Sequence, residues 1–389
     1  MKLYEYEAAD IFSGAGIRVP ERILAATPEE VVQAAEKIGY PVVIKAQILA
    51  GGRGLAGGIK VTASTEETAA IAEDILNTKI HQIRVRSVLV SRKIEIEKEC
   101  FLSISVDGYN GQPMIMTCRQ GGTDIEKTAR LYPEKIATMH VDIQRGLLAF
   151  EARKLLKRAG FPPSQVPASA DVLVRLYQIF TGYQAMTAEI NPLAICQNGA
   201  LMALDAKLEL DDSALPRLGK LIPGNHQRLE SSLEKMGREI GVTYIDLKGD
   251  IGIISSGAGL GMATMDIIGQ KLRPANFLET GGGITDELLY KTMELIMLKK
   301  GLRAIFINIY GGINPIHEGA RGIARYLREN PLNIPVVAKA LGNRQEETWD
   351  ILRSAGVHVV TDVSTENAVS RLLEILSAAS DRNGSPNLT

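Results

Sequence analysis

From about Asp246 onward the pattern of apolar and polar positions repeats one unit: a β-branched apolar run, a glycine corner, then a segment of helical period. The units read "DIGIISSGAGLGMATMDIIG", "PANFLETGGGITDELLYKTMELIM", "AIFINIYGGINPIHEGARGIARYL", "IPVVAKALGNRQEETWDILRSAG" and "HVVTDVSTENAVSRLLEIL". This succession predicts an α/β domain, a parallel sheet with helices on both faces. Three corners, at Gly257 and Gly259, at Gly281 to Gly283, and at Gly311 and Gly312, lie where a strand hands over to a helix N-terminus. Such ends line up on one sheet edge, where backbone N–H groups and helix dipoles favour anions. None of the corners has dinucleotide-fingerprint spacing.

The first half alternates strands and helices less regularly. "YPVVIKAQ" reads as a strand carrying Lys45, "AGGRGLAGG" as a glycine-rich loop carrying Arg53, and "GIKVTAS" as the returning strand. A lysine beside a glycine loop with an arginine suits a polyphosphate, because the backbone can approach closely while two cations neutralise charge. The spacing is not that of a Walker loop, and a solvated basic hairpin is the alternative.

In "AEINPLAICQNGALMALDAKL", a three-residue Gln197-Asn198-Gly199 loop sets Cys196 opposite Ala200, Asn191 opposite Asp205 and Glu189 opposite Lys207. One face then holds Ile190, Pro192, Ala194, Cys196, Met202, Leu204 and Ala206, wholly apolar, and the reverse face gathers Glu189, Asn191, Asp205 and Lys207. Oxygen ligands on adjacent strands, open to a phosphate-bearing ligand, form the kind of partial site that Mg²⁺ uses. A surface salt-bridge pair on a solvated sheet is the alternative.

Charge and length narrow the partners. The 389 residues exceed what one core usually serves, so two or three domains are expected. The 44 basic and 45 acidic residues nearly cancel, and no like-charge run suggests nucleic acid or a membrane surface. Cys100, Cys118 and Cys196 are widely spaced and read as reduced core residues. No apolar run approaches the roughly 20 residues of a membrane span, and "MKLYEYEAADIFSGAGI" is an acidic amphipathic start unlike a signal peptide. A cytoplasmic protein is expected.

Together, "KLYEYEAADIFSGAGIRVP", "VIKAQILAGGRGLAGGIKV", "AEINPLAI", "ALDAKL", "GAGLGMATMDII", "PANFLETGGG" and "NIYGGI" resemble the β subunit of succinyl-CoA synthetase, in order and over nearly the whole chain. The resemblance implies an N-terminal ATP-grasp domain to about residue 236, followed by a flavodoxin-like, doubly wound parallel-sheet CoA-ligase domain over 237–389. It implies that Lys45, Gly52, Arg53 and Gly54 hold nucleotide phosphates, that Glu99 lies at the nucleotide, and that Asn191 and Asp205 bind Mg²⁺. Ser91 and Ile94 occupy two further nucleotide positions where the family pattern has Glu and Thr, and Pro20 matches the members that use ATP. Glu189, on the same face as the metal pair, is the candidate catalytic carboxylate.

In the family, ATP phosphorylates a histidine of an α subunit that also carries most of the CoA site. None of His81, His140, His226, His317 and His358 sits in a matching motif, so this chain is expected to be half of an enzyme that uses ATP, CoA and a small carboxylic acid. The positions implied for the acid are Ser256, Gly312, Ile313 and Asn314. They depart from the succinate pattern, where the corner runs Gly-Gly-Ile-Val-Arg-Cys and the earlier corner has Asn. Here Asn314 replaces Val, Pro315 replaces Arg and Ser256 replaces Asn, which points to a small acid other than succinate, such as a malate-like acid or sulfoacetate. Succinate itself, a self-sufficient carboxylate–amine ligase and a non-catalytic subunit are the alternatives.

Overall fold

The computed structural model describes residues 1–81, 83–122, 125–218 and 231–383, in two compact units, Met1–Pro223 and Gly224–Thr389. The first unit opens with helix α1 (Glu5–Gly14), strand β1 (Arg22–Ala25), helix α2 (Pro28–Ile38), strands β2 (Val42–Ala46) and β3 (Ile59–Thr62), and helix α3 (Thr65–Asn77). The short strands β4 (Lys79–Ile80) and β5 (Ile83–Arg84) and the longer β6 (Val88–Arg92) follow. Thr27 caps α2 by accepting from the Glu30 amide at 3.3 Å, with Pro28 in the first turn. An antiparallel sheet runs β1-β6-β2-β3. Val31, Ala35 and Ile38 of α2 and Ala72 and Ile75 of α3 pack with Ile44, Ala46, Val88 and Val90 on one sheet face. Strand alternation therefore turns Val43, Lys45, Leu89 and Ser91 to the other.

The larger sheet of this unit uses β7 (Ile96–Asp107), β8 (Gln112–Cys118), β9 (Ile136–His140), β10 (Ala185–Cys196), β11 (Leu201–Ala203) and β12 (Ala206–Leu210). Its order is β11-β10-β7-β8-β9, with β12 also pairing β10. Four helices intervene or follow: α4 (Ile125–Leu131), α5 (Ala149–Arg158), α6 (Val166–Gly182) and α7 (Leu215–Leu218). Phe12 of α1, Leu155 and Leu156 of α5, and Leu173, Leu176 and Phe180 of α6 pack with Leu102, Ile104 and Ile115. Cys100, Cys118 and Cys196 are buried free thiols, as their spacing suggested.

The expected hairpin register holds, and the expected face does not. Glu189 pairs with Lys207, Ile190 with Ala206, and Leu193 with Ala203. The Cys196 amide donates to the Ala200 carbonyl at 2.9 Å, with Gly199 at φ +76° in the left-handed region the turn demands. Ala188, Ile190, Ala206 and Leu208 join the same core as Leu193, Ile195, Leu201 and Ala203, so the buried face changes parity partway along. The change falls at Asn191-Pro192 and Leu204-Asp205, where both strands leave regular pairing and β10 carries a bulge against β7. Pro192 has no amide for the ladder, and the bulge re-aims the chain. The polar face is therefore a short step centred on Asn191 and Asp205, and the strand segments between it and the exposed Gln197-Asn198-Gly199 tip are apolar and largely buried.

The second unit comprises α8 (Ser232–Ile240), β13 (Thr243–Asp246), β14 (Ile251–Ser255), α9 (Ala258–Gly269), β15 (Asn276–Glu279), α10 (Asp286–Met297), β16 (Ala304–Gly311), α11 (Ile316–Glu329), β17 (Val336–Gly342), α12 (Gln345–Ser354), β18 (His358–Val360) and α13 (Thr365–Asn383). The domain boundary expected after residue 236 falls inside α8. Strand order is β13-β15-β14-β16-β17-β18, parallel except for β13, which runs antiparallel to β15. The five repeats are β14 to β18, wound on both faces. Leu289, Met293, Ile316, Ile323 and Leu352 of α10, α11 and α12 pack on one side, and Ile268, Val369 and Leu372 of α9 and α13 on the other. The antiparallel edge strand was not expected from the sequence: only Tyr244 of its four residues is buried, too little for an alternation to register. Among the described residues no helix is long and apolar enough to cross a membrane.

Candidate functional site

The first unit concentrates its buried charge on the sheet face that carries Lys45. Lys45 Nζ donates to Glu5 Oε1 at 2.8 Å and to the Leu204 carbonyl. Arg53 Nη1 donates to Glu5 Oε2 at 2.8 Å and to the Ala46 carbonyl at 3.1 Å. The Arg53 Nη2 donates to both Asp205 oxygens, at 2.9 and 2.8 Å. Gln47 Nε2 adds a bond to Glu5 Oε2 at 3.2 Å. Two cations and two carboxylates thus form one chain, Lys45–Glu5–Arg53–Asp205, closed by strand β2, the glycine loop, helix α1 and the step before β12.

Glu5 is the group that sequence reasoning missed. It is 6 % exposed, in the first turn of α1, and the acidic amphipathic start was its only signal. Burial pushes its carboxyl upward, but the charges of Lys45 and Arg53 outweigh that and hold it below the ordinary carboxylate value. For Arg53 burial works against the charge, and Asp205 and Glu5 more than compensate.

Asn191 and Asp205 lie in facing breaks of the two strands, bracketed by the Ile190–Ala206 and Leu193–Ala203 pairs. The Gly122 amide donates to Asn191 Oδ1 at 2.8 Å. Gly122 has φ +108°, and a Cβ on it would lie 3.0 Å from Glu99 Oε2, so a glycine is needed to seat this loop between Glu99 and Asn191. Glu189 accepts from Ser103 Oγ at 3.4 Å. Ser91 is buried on the Lys45 face, its hydroxyl 3.5 Å from the Val43 carbonyl. Ile94 is half-buried in the β6–β7 turn, and Gly52 and Gly54 are exposed in the loop around Arg53. His81, which the sequence did not connect with the loop, has its Nε2 3.6 Å from where a Cβ on Gly52 would stand.

The residues fit a divalent metal as a partial site. Among the described residues no cluster of three or more His, Cys, Asp or Glu side chains is arranged to hold a metal. Asn191 and Asp205 bring two hard oxygen donors to one half-buried step, where Gly122 and Arg53 donate to them, and a pair of this kind suits an ion that keeps waters and phosphate oxygens as its other ligands.

In the second unit the three corners meet on one edge through side chains. Ser256 Oγ accepts from the Tyr310 amide at 2.9 Å and donates to the Tyr310 carbonyl at 3.1 Å, joining the β14 corner to the end of β16. Asn314 Nδ2 donates to the Gly282 carbonyl. Asn343 Nδ2 donates to the Ile313 carbonyl at 3.1 Å, while Ile313 itself is 91 % exposed. Pro315 precedes the first turn of α11 as its N-cap residue, one place earlier than a first-turn proline. His317 is buried, with its Nε2 3.0 Å from Arg344 Nη1, and Arg321 is paired with Glu347 at 3.1 Å. Arg344, at φ +57° and paired with Glu347 at 2.5 Å, is the guanidinium that sequence reasoning overlooked. His226 lies outside the described residues.

This pairing of a phosphate-type cluster with a corner-lined parallel sheet recurs in known proteins. The chain matches the ATP-grasp domain family over residues 2–195 and the CoA-ligase family over residues 254–373. It is 38 % identical over 371 residues to the succinate–CoA ligase [GDP-forming] subunit beta of Thermus thermophilus, covering 95 % of this chain and 98 % of that one. It is 36 % identical over 375 residues to the succinate–CoA ligase [ADP-forming] subunit beta of Methanothermobacter thermautotrophicus, covering 96 % and 99 %. ATP citrate lyase from Methanothrix soehngenii, solved with citrate and coenzyme A, superposes with a TM-score of 0.74 at 19 % identity over 96 % of this chain and 99 % of that one, a likeness of fold. Since both domains and whole-length relatives agree, the chain belongs to the succinyl-CoA synthetase β-subunit family, as an acid–thiol ligase β subunit of the succinate–CoA ligase (ADP-forming) type.

Proposed function

We propose that this subunit binds ATP with Mg²⁺ and acts with an α subunit carrying the relay histidine and the CoA site, to activate a short acid other than succinate. The observation that carries the reading is the Lys45–Glu5–Arg53–Asp205 chain, which sets two cations and a metal-type carboxylate around one glycine loop. Lys45 and Arg53 bind the polyphosphate, Asn191 and Asp205 hold the metal, and Glu99 and the Ser91–Ile94 region border the nucleotide. Bound Mg²⁺ would spread charge on the transferring phosphoryl oxygens. Glu189 stands on the same step and is the candidate to orient the incoming group.

The reaction proceeds as a relay. The γ-phosphoryl passes from ATP to the partner histidine and then to the acid's carboxylate. The thiolate of CoA attacks the acyl carbon and phosphate leaves. A covalent phospho-enzyme divides one hard step into easier ones. The α9 N-terminus, at the Ser256 to Gly261 corner, faces the partner's phosphohistidine, and the Gly312–Asn314 corner takes the acid.

His81 supports one competing reading, in which this chain phosphorylates itself, because its ring lies against the glycine loop. Incubation of the isolated chain with radiolabelled ATP decides between them. The expected result is nucleotide binding without stable label and without acyl-CoA. An acid-labile, base-stable phosphate that disappears in His81→Asn would replace the two-subunit reading.

A further inference from the structure

We propose that Arg53 is a positioning residue for the metal ligand Asp205 as well as a phosphate ligand, latching that carboxylate until a polyphosphate draws the guanidinium away. The inference rests on the reading of this site as one for nucleotide and metal. Its basis is geometric: both Asp205 oxygens accept from Arg53 Nη2 at 2.9 and 2.8 Å. Asp205 Oδ1 also accepts from the Ala206 amide at 2.8 Å, and Asn191 Oδ1 accepts from the Gly122 amide at 2.8 Å. The oxygens that would meet a metal are therefore already engaged by protein donors. A cation approaching Asp205 also meets the guanidinium, which repels it.

Glu5 makes the exchange reversible. It holds Arg53 through Nη1 and Lys45 through Nζ, each at 2.8 Å. When Nη2 leaves Asp205, Arg53 keeps its anchor on Glu5 and the Ala46 carbonyl, so the guanidinium turns toward the phosphates without leaving the site. Lys45 stays on the same carboxylate. One arginine thus serves Asp205 or the polyphosphate, and release of the first accompanies capture of the second. Metal and polyphosphate then favour each other on the protein by a common factor, beyond their pairing in solution.

The latch makes two predictions that a simple phosphate ligand does not. In Arg53→Met, the nucleotide-free affinity for Mn²⁺, read by electron paramagnetic resonance of the free ion, rises by about tenfold or more, because the charge-assisted contact from Nη2 to both Asp205 oxygens no longer competes. Adding Asp205→Asn to that variant returns the affinity to the wild-type level. In Asp205→Asn alone, calorimetry with ADP in excess chelator shows binding about tenfold tighter than wild type, since Arg53 is already free. Arg53→Lys keeps the charge but not the fork and gives an intermediate Mn²⁺ affinity, with circular dichroism confirming the fold of each variant. Unchanged or weaker Mn²⁺ binding in folded Arg53→Met, or weaker ADP binding in Asp205→Asn, overturns the latch. Failure of the wild-type chain to bind ADP at all, with or without metal, rejects the nucleotide reading instead.

Discussion

Lys45→Met, assayed in the enzyme reconstituted with the proposed α subunit, lowers kcat/KM for ATP by about 10²–10³-fold, the usual cost of removing one preorganised charge donor. Methionine matches the length of the lysine stem but offers no cation, and the side chain is almost enclosed, at 11 % exposure. Removal also strips Glu5 of one of its two cations, and breaking a buried pair costs up to about 3–5 kcal/mol. Arg53 and Gln47 remain on Glu5, which keeps the loss toward the lower end. Pairing Lys45→Met with Glu5→Gln removes the uncompensated charge. The double variant regains thermal stability and does not regain turnover.

The pH dependence carries a definite sign. The Glu5 carboxyl is held below the ordinary value because Lys45 and Arg53 outweigh its burial. Its stabilising contribution is complete above the unfolded carboxylate value, near about pH 4.3, and is lost as pH falls through the lowered folded value. The melting temperature of the wild type therefore declines below that range, and Glu5→Gln shows a shallower decline. A Lys45→Met enzyme with unchanged kcat/KM for ATP would remove this residue from the nucleotide site.

Selectivity among short acids is the second large effect. The Gly312–Asn314 corner is tied to Gly282 by Asn314 and to the end of β17 by Asn343. Ser256 locks the neighbouring corner onto Tyr310. Asn314, which gives one Nδ2 proton to the Gly282 carbonyl, and the α11 amides are donors at this edge; the Ser256 hydroxyl is committed to Tyr310 and shapes the corner, with the Arg344 guanidinium against His317 beside it. An acid with a hydroxyl, carboxylate or sulfonate at its far end would be met by these donors, and a buried charge without them is costly. A site built to hydrogen-bond such a group rejects an analogue lacking it by on the order of 10⁴-fold. In a panel of short acids, propionate, which lacks any such group, is expected to fall far below the rest, and the departures at Ser256, Asn314 and Pro315 from the succinate pattern lead us to expect malate-like acids and sulfoacetate to exceed succinate in specificity constant. Succinate ranking first would mean that Ser256, Asn314 and Pro315 are tolerated changes.

Much of this fold was legible because its signals are periodic. Five strand–corner–helix repeats specify a doubly wound sheet, and the Asn198-Gly199 turn specifies the hairpin register that sets Glu189 opposite Lys207. The face parity was not legible, since strict alternation was carried through Asn191-Pro192, where the ladder breaks. Glu5 was hidden by distance: its partners lie 40 and 48 residues along the chain, and an acidic residue in a first helical turn ordinarily reads as a helix-dipole partner. His81 and Arg344 were invisible for a related reason. Each sits at positive φ outside any motif, and only tertiary packing brings it to a glycine loop or a helix start.

We propose above all that this chain supplies the nucleotide half of a two-subunit acid–CoA ligase. The direct measurement is ATP-dependent thioester formation from CoA and the acid panel, with the chain alone, the α subunit alone and the two together. Thioester and ADP are expected only from the combination, with Asp205→Asn weakening the dependence on Mg²⁺. Thioester formed by this chain alone, or none from the combination with any acid while ADP binding persists, would contradict it.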